Sequence, residues 1–137
     1  MEQQELQRKY MEYQLLDQNI KQLQQQAETA DQQMIAIMAT LQSLDEFGLL
    51  KDETEILVPL NNGIFTKAKL KKENSLLINV GASVVVSKSL ENTKKLVENQ
   101  REEMEKIKEK IAENMSKLVE RASELEKDLS QIMQSQI

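Results

Sequence analysis

The chain lacks cysteine and histidine altogether and has one proline, three glycines and only 3% aromatic residues. Without cysteine it has no disulfide framework and no thiolate chemistry, as is usual in a reducing compartment, so we expect a cytoplasmic protein. Without histidine it lacks the commonest general base and metal ligand. No phosphate-binding lysine motif accompanies Gly81. The sequence therefore predicts no enzyme and implies no cofactor.

Long hydrophobic runs are also missing. No segment approaches the ~20 apolar residues of a membrane span, and the N-terminal residues contain no signal-peptide core, so we expect no membrane association. The net charge is −5 with both signs interleaved, which argues against nucleic-acid binding because such binders concentrate basic residues on one face. Hydrophobic residues make up 39% against 30% charged, which is little material for a compact core.

Residues 1–48 carry a heptad pattern. Spacings of three and four residues recur without a break, which predicts a left-handed coiled coil. The apolar positions are Leu16, Ile20, Leu23, Ala27, Ala30, Met34, Ile37, Leu41 and Leu44. Gly48 follows them, where a glycine commonly ends a helix, and we expect it to be the C-cap.

Residues 49–87, here called the hub, change to a β pattern. Short alternating segments at 56–60 and 64–70 flank the turn Asn61-Asn62-Gly63, and two more at 76–80 and 83–86 meet around Gly81-Ala82. The sequence thus predicts two β-hairpins. Two hairpins leave strand edges without partners, so the hub is expected to associate with other strands. The basic run from Lys67 to Lys72 is assigned to edge protection and not to a binding site.

Residues 88–137 form a second helical arm, capped by Ser87 or Ser89. Its apolar stripe comprises Leu90, Val97, Met104, Ile107, Ile111, Met115, Leu118, Ala122, Leu125, Leu129 and Ile132. If the arms fold back with Leu44 near Leu90, Ala30 and Ala27 lie opposite Met104 and Ile107. The fold class is therefore α+β, a long antiparallel coiled-coil hairpin with two central β-hairpins.

Both chain termini then lie at one end of the coiled coil, here called the tip (residues 1–16 and 118–137). Several apolar side chains at the tip fall beside or away from the coiled-coil interface, namely Tyr10, Met11, Leu15, Val119 and Met133. Leu6, opposite Leu129 in the interface, and Ile137, at the end of the second helix, complete the candidate client contacts. Flexible apolar groups of this kind suit recognition of varied surfaces. Single exposed apolar residues are also ordinary on protein surfaces, and periodicity alone leaves both interpretations open.

The order helix, two hairpins, helix resembles the alpha subunits of archaeal prefoldin. The hub carries the specific residues of the resemblance, namely Leu57-Val58-Pro59, Gly63 and Val80-Gly81-Ala82. The arms match only as coiled coil. In having two hairpins the chain resembles the alpha class of subunits, because beta-class subunits have one hairpin.

This resemblance implies a heterohexamer of two alpha and four beta subunits whose hub strands join into β-barrels. The hub residues assigned to that assembly are Ile56, Val58, Ile64, Phe65, Leu76, Ile78, Val80, Val84 and Val86. It further implies ATP-independent capture of non-native client proteins at the coiled-coil tips and their delivery to a group II chaperonin.

Two other interpretations stand beside this one. The chain could be a coiled-coil assembly scaffold that binds no clients. It could also be an enzyme or nucleic-acid module with a coiled-coil arm, but paired carboxylates such as Glu102-Glu103 are far more often solvated helix surface.

Overall fold

A computed structural model describes residues 2–73 and 75–135. Its elements in chain order are α1 (Glu2–Leu49), β1 (Glu55–Asn61), β2 (Ile64–Lys69), β3 (Ser75–Gly81), β4 (Val84–Ser89) and α2 (Leu90–Ser135). Two long helices flanking two β-hairpins confirm the predicted fold class, while the barrel formed between subunits stays a prediction.

No helix within the described ranges combines the length and the apolar character needed to cross a membrane.

The chain divides into two compact units, which are described separately. A helical unit comprises Met1–Ile35 and Glu102–Ile137, and a mixed unit comprises Ala36–Arg101. The helical unit contains only parts of α1 and α2, whereas the mixed unit contains both hairpins and the adjoining helix ends.

In the helical unit the two helices pair in antiparallel orientation. Lys9 Nζ lies 3.1 Å from Asp128 Oδ2, and Asp31 Oδ1 lies 2.9 Å from Lys108 Nζ. Residues later in α1 therefore contact residues earlier in α2. Leu16, Ala30 and Leu125 are buried between the helices. Every predicted apolar position of the first arm is buried or half-buried, which confirms the heptad pattern.

The predicted register of this pairing was wrong by about one helical turn. Ala30 shares a cavity with Ile107 and Ile111, not with Met104, and Ala27 shares another with Ile111 instead of Ile107. The prediction fixed the register by placing Leu44 near Leu90. In the structure Leu90 instead lies against Gly48, about one turn farther along α1.

Gly48 allows this contact with Leu90. It lies inside the last turn of α1 with an ordinary helical φ, so it is not the C-cap that the sequence predicted. A Cβ atom at this position would lie 3.3 Å from Leu90 Cδ2, which is tighter than ordinary van der Waals contact. The glycine therefore allows the end of α1 to approach the start of α2 closely.

The two hairpins of the mixed unit form separate two-stranded antiparallel sheets. β1 pairs with β2 from Glu55 opposite Lys69 to Asn61 opposite Ile64, and β3 pairs with β4 from Ser75 opposite Ser89 to Gly81 opposite Val84. Each pairing contains a bulge just before the turn. Each strand thus has one neighbour, and its other edge has no strand partner among the described residues.

The junctions between helices and hairpins are held by polar contacts. Lys72 donates from Nζ to the carbonyl oxygens of Gly48 (3.0 Å) and Leu50, and its backbone N–H donates to Asp52 Oδ1 at 2.8 Å. The last turn of α1 has no basic residue of its own, so Lys72 supplies the cation that helix C-termini favour. At the other junction, Ser89 Oγ accepts a hydrogen bond from the N–H of Asn92 at 3.1 Å, confirming Ser89 as the cap of α2.

Candidate functional site

The tip carries the apolar side chains that the sequence singled out. Five of the seven predicted residues are exposed, each by at least half of its surface: Tyr10, Met11, Leu15, Val119 and Met133. Leu6 is half-buried, and Ile137 lies outside the described residues. Met11 and Leu15 are one helical turn apart and therefore share one face of α1.

An open groove of about 670 Å³ lies between the two helices at the tip. Its lining residues are Tyr10, Tyr13, Glu126, Leu129, Ser130, Met133 and Gln134. The structure thus brings Tyr10 together with Met133, a pairing that the predicted register did not contain. Met11, Leu15 and Val119 lie outside the groove.

Sequence reasoning missed Tyr13 and Leu129 as groove residues because it assigned them to the coiled-coil interface. Both are half-buried, so each side chain packs between the helices and still presents part of its surface to the groove. The available signal was their size: large side chains at the end of a coiled coil have no following turn to cover them.

Ion pairs join the two helices at the tip. The Arg121 guanidinium contacts the Glu12 carboxylate at 3.0 Å and 3.3 Å, and also contacts Glu124 at 3.3 Å. These hydrogen bonds, chiefly the one to Glu12, raise the pKa of Arg121 above its ordinary value, so it stays charged throughout the physiological range. Lys9 bridges Glu5 and Asp128 one turn closer to the N-terminus.

The hub presents a second apolar surface. Four of its nine predicted residues, Ile56, Leu76, Ile78 and Val86, are half-buried, and the other five are exposed: Val58, Ile64, Phe65, Val80 and Val84. In each hairpin the half-buried residues lie farther from the turn, whereas the exposed residues lie closer to it. Both hairpins therefore leave much of their apolar surface in solvent.

The opposite faces of the strands are apolar and exposed as well. Leu57, Leu77 and Val85 belong to this surface, and Leu77 is 78% exposed. The sequence prediction did not include them, although it did include Phe65, which shares the face of Leu57. Runs such as Ile56-Leu57-Val58 are nearly continuous in apolar residues, a pattern typical of strands covered on both faces.

No group of three or more acidic side chains within residues 2–73 and 75–135 is placed to hold a metal ion.

Comparison with known proteins relates the chain to one family. The model of the prefoldin subunit family matches residues 16–135. A prefoldin subunit alpha of Thermococcus onnurineus is 35% identical over 89 residues, covering 64% of this chain and 60% of the relative. A prefoldin subunit alpha of Thermofilum pendens is 30% identical over 80 residues, covering 58% of this chain and 62% of the relative.

The matched segments thus span about three fifths of the length of these curated relatives. Among solved structures, a chain of filamentous PFD from Methanocaldococcus jannaschii, determined by cryo-EM, superposes with a TM-score of 0.72. It covers 88% of this chain and 98% of that chain at 16% identity, a likeness of fold. The family match covers α1 from residue 16 onward, both hairpins and α2, and the chain therefore belongs to the prefoldin family.

Proposed function

We propose that this chain is the alpha-type subunit of a cytoplasmic chaperone that captures non-native proteins at its tips without ATP and without catalysing a reaction. The observation that carries the proposal is the set of uncovered apolar side chains at the tip, with an open groove between the two helices. A non-native client exposes apolar surface of its own, and contact between the two surfaces removes both from water.

Each contact of this kind is weak. Burial contributes about 25 cal/mol per Å² before entropic costs, and one tip offers only a small patch. When one assembly carries several tips, a client bound at one tip has a high effective concentration at the others. The client is therefore held firmly overall while individual contacts exchange. Capture and release then need no nucleotide.

The hub supports the assembly part of the proposal. Isolated two-stranded hairpins are marginally stable, and each strand here has one edge without a strand partner among the described residues. We propose that hub strands from neighbouring subunits complete β-barrels in a complex of two copies of this chain and four beta subunits. Delivery of captured clients to a group II chaperonin is the further step that the family resemblance implies.

The test compares two double variants of this chain, each reconstituted with beta subunits. Met11→Ser with Leu15→Ser removes two exposed apolar groups from the tip, whereas Ile35→Ser with Met38→Ser removes two similarly exposed groups from α1 outside it. A chemically denatured client is diluted into each complex, and its aggregation is followed by light scattering without nucleotide.

The tip variant is expected to need at least about fivefold more complex for half-maximal protection, since each lost contact removes roughly 1 kcal/mol of partial burial. The control variant is expected to protect as the unaltered complex does. Unchanged protection by the tip variant would favour the alternative function, a coiled-coil scaffold that binds no clients.

A further inference from the structure

The groove at the tip has a charged side chain on its α2 wall only. Its α2 wall consists of positions 126, 129, 130, 133 and 134, which share one helix face, and Tyr10 and Tyr13 form the α1 wall. Glu126 is the only charged residue of the described lining, and no lysine or arginine faces it there. The groove therefore combines aromatic and aliphatic walls with one negative charge.

The charge of Glu126 is not compensated within the described part of the chain. The neighbouring acids are paired across the helices, Asp128 with Lys9 at 3.1 Å and Glu12 with Arg121 at 3.0 Å. Glu126 is exposed and has no ion pair or hydrogen bond in the described residues. A cation brought into the groove by a ligand would therefore meet a carboxylate that no cation of this chain already occupies.

We infer that the groove is a subsite for client segments in which a large apolar side chain lies next to lysine or arginine. The apolar side chain packs between Tyr10 and Met133, while the neighbouring cation approaches Glu126. A segment with aspartate or glutamate at that place would be repelled. The inference rests on the proposed capture of clients at the tip and adds a preference of sequence to it.

The expected preference is modest because the pair is exposed to solvent. A surface ion pair changes affinity by about two- to fivefold at low salt, and screening reduces the effect when the ionic strength reaches ~0.5 M. Apolar burial, which salt does not screen, provides the remaining affinity. Binding therefore persists at high salt while the discrimination between basic and acidic segments diminishes.

The experiment uses three peptides that share one photoreactive apolar residue, benzoylphenylalanine, flanked by lysine, serine or glutamate. Each is irradiated with the complex of the full chain and beta subunits, and mass spectrometry quantifies the adducts on this chain alone. The variant Glu126→Gln removes the groove charge. Glu113→Gln is the matched control, since it makes the same change at an exposed position of α2 outside the groove.

With the unaltered chain, we expect adducts at the groove to increase from the glutamate to the serine to the lysine peptide, by about two- to fivefold between the last two. Glu126→Gln should equalise the three peptides, and Glu113→Gln should keep the order. The preference is overturned if the three peptides label the unaltered chain equally, or if both variants lose the order of the three peptides to the same extent. Labelling at the tip by the serine peptide would still support client capture in that case. If no peptide labels the tip, the proposed function itself fails.

Discussion

At the residue scale, equivalent positions in the heptad pattern differ widely in burial. Leu125 is fully buried, whereas Ile107 in the same predicted stripe is 49% exposed. Two successive spacings of four residues, from Ile107 to Met115, rotate the stripe around the helix there. The adjacent Lys108 instead reaches across to Asp31. The sequence could therefore predict which face of α2 is apolar but not how deeply each residue is buried.

Leu125→Ala should strongly destabilise the helical unit. Removing a fully buried leucine side chain leaves a cavity and costs about 2–5 kcal/mol. Leu15→Ala makes the same chemical change at an exposed position of α1, where the expected cost is below ~1 kcal/mol. Thermal unfolding of the two variant complexes, followed by circular dichroism, measures the difference. Equal midpoints would show that the helices do not pack at Leu125 as described.

Lys72→Met should loosen the junction between α1 and the first hairpin. The substitution keeps the length of the side chain but removes the ammonium group that donates to the carbonyls of Gly48 and Leu50, at a cost of about 1–2 kcal/mol for a partly buried charged donor. Lys71→Met is the control, because that side chain is exposed and lies 3.8 Å from Glu73.

Hydrogen exchange provides the measurement for this pair of variants. The Glu53 N–H donates to the Leu70 carbonyl and the Leu70 N–H donates to the Thr54 carbonyl, each at 2.8 Å. Both amides should exchange faster in Lys72→Met than in Lys71→Met. The same exchange rates in both variants would mean that the ammonium group does not hold the junction.

At the element scale, the two hairpins have matching pairing patterns but different turns. The first turn uses Asn62-Gly63, and Gly63 has a φ of 72°. The second uses Ala82-Ser83, whose φ angles of 50° and 61° lie in the left-handed region that such residues adopt at a cost. The sequence could predict both hairpins from their alternation. It placed the second turn one residue early, around Gly81-Ala82, because glycine is the usual signal.

Ser83→Gly should stabilise the second hairpin by about 0.5–1 kcal/mol, since glycine adopts a positive φ without the steric cost. Ser87→Gly introduces the same residue in the middle of β4, opposite Leu77, and should weaken the hairpin by a similar amount. Hydrogen exchange across residues 75–89 should slow in the first variant and accelerate in the second. Acceleration in both would place Ser83 outside the left-handed region.

The helices show what periodicity can and cannot determine for a whole element. It predicted their apolar faces and antiparallel pairing, and the buried Leu16 and Ala30 confirm the face of α1. It could not determine the register, because a coiled coil permits shifts by whole turns that keep the apolar faces together. The close approach of Gly48 to Leu90 is compatible with only one of these registers. A contact between residues so distant in sequence produces no periodicity from which it could be predicted.

At the scale of the whole molecule, the proposed assembly requires that the hub be incomplete in one chain. Within residues 2–73 and 75–135 the two hairpins form separate sheets, and apolar residues on both faces of their strands are exposed. A surface of this kind is usually covered by another subunit. The sequence predicted the unpaired edges from the number of hairpins, but the identity and number of partner strands are properties of other chains.

Native mass spectrometry of this chain with a beta subunit that has one hairpin tests this central claim most directly. We predict a discrete complex of two copies of this chain and four of the beta subunit, with hub amides that are protected from hydrogen exchange only in the complex. A folded monomer that persists alongside the beta subunit, with its hub amides already protected, would contradict the account.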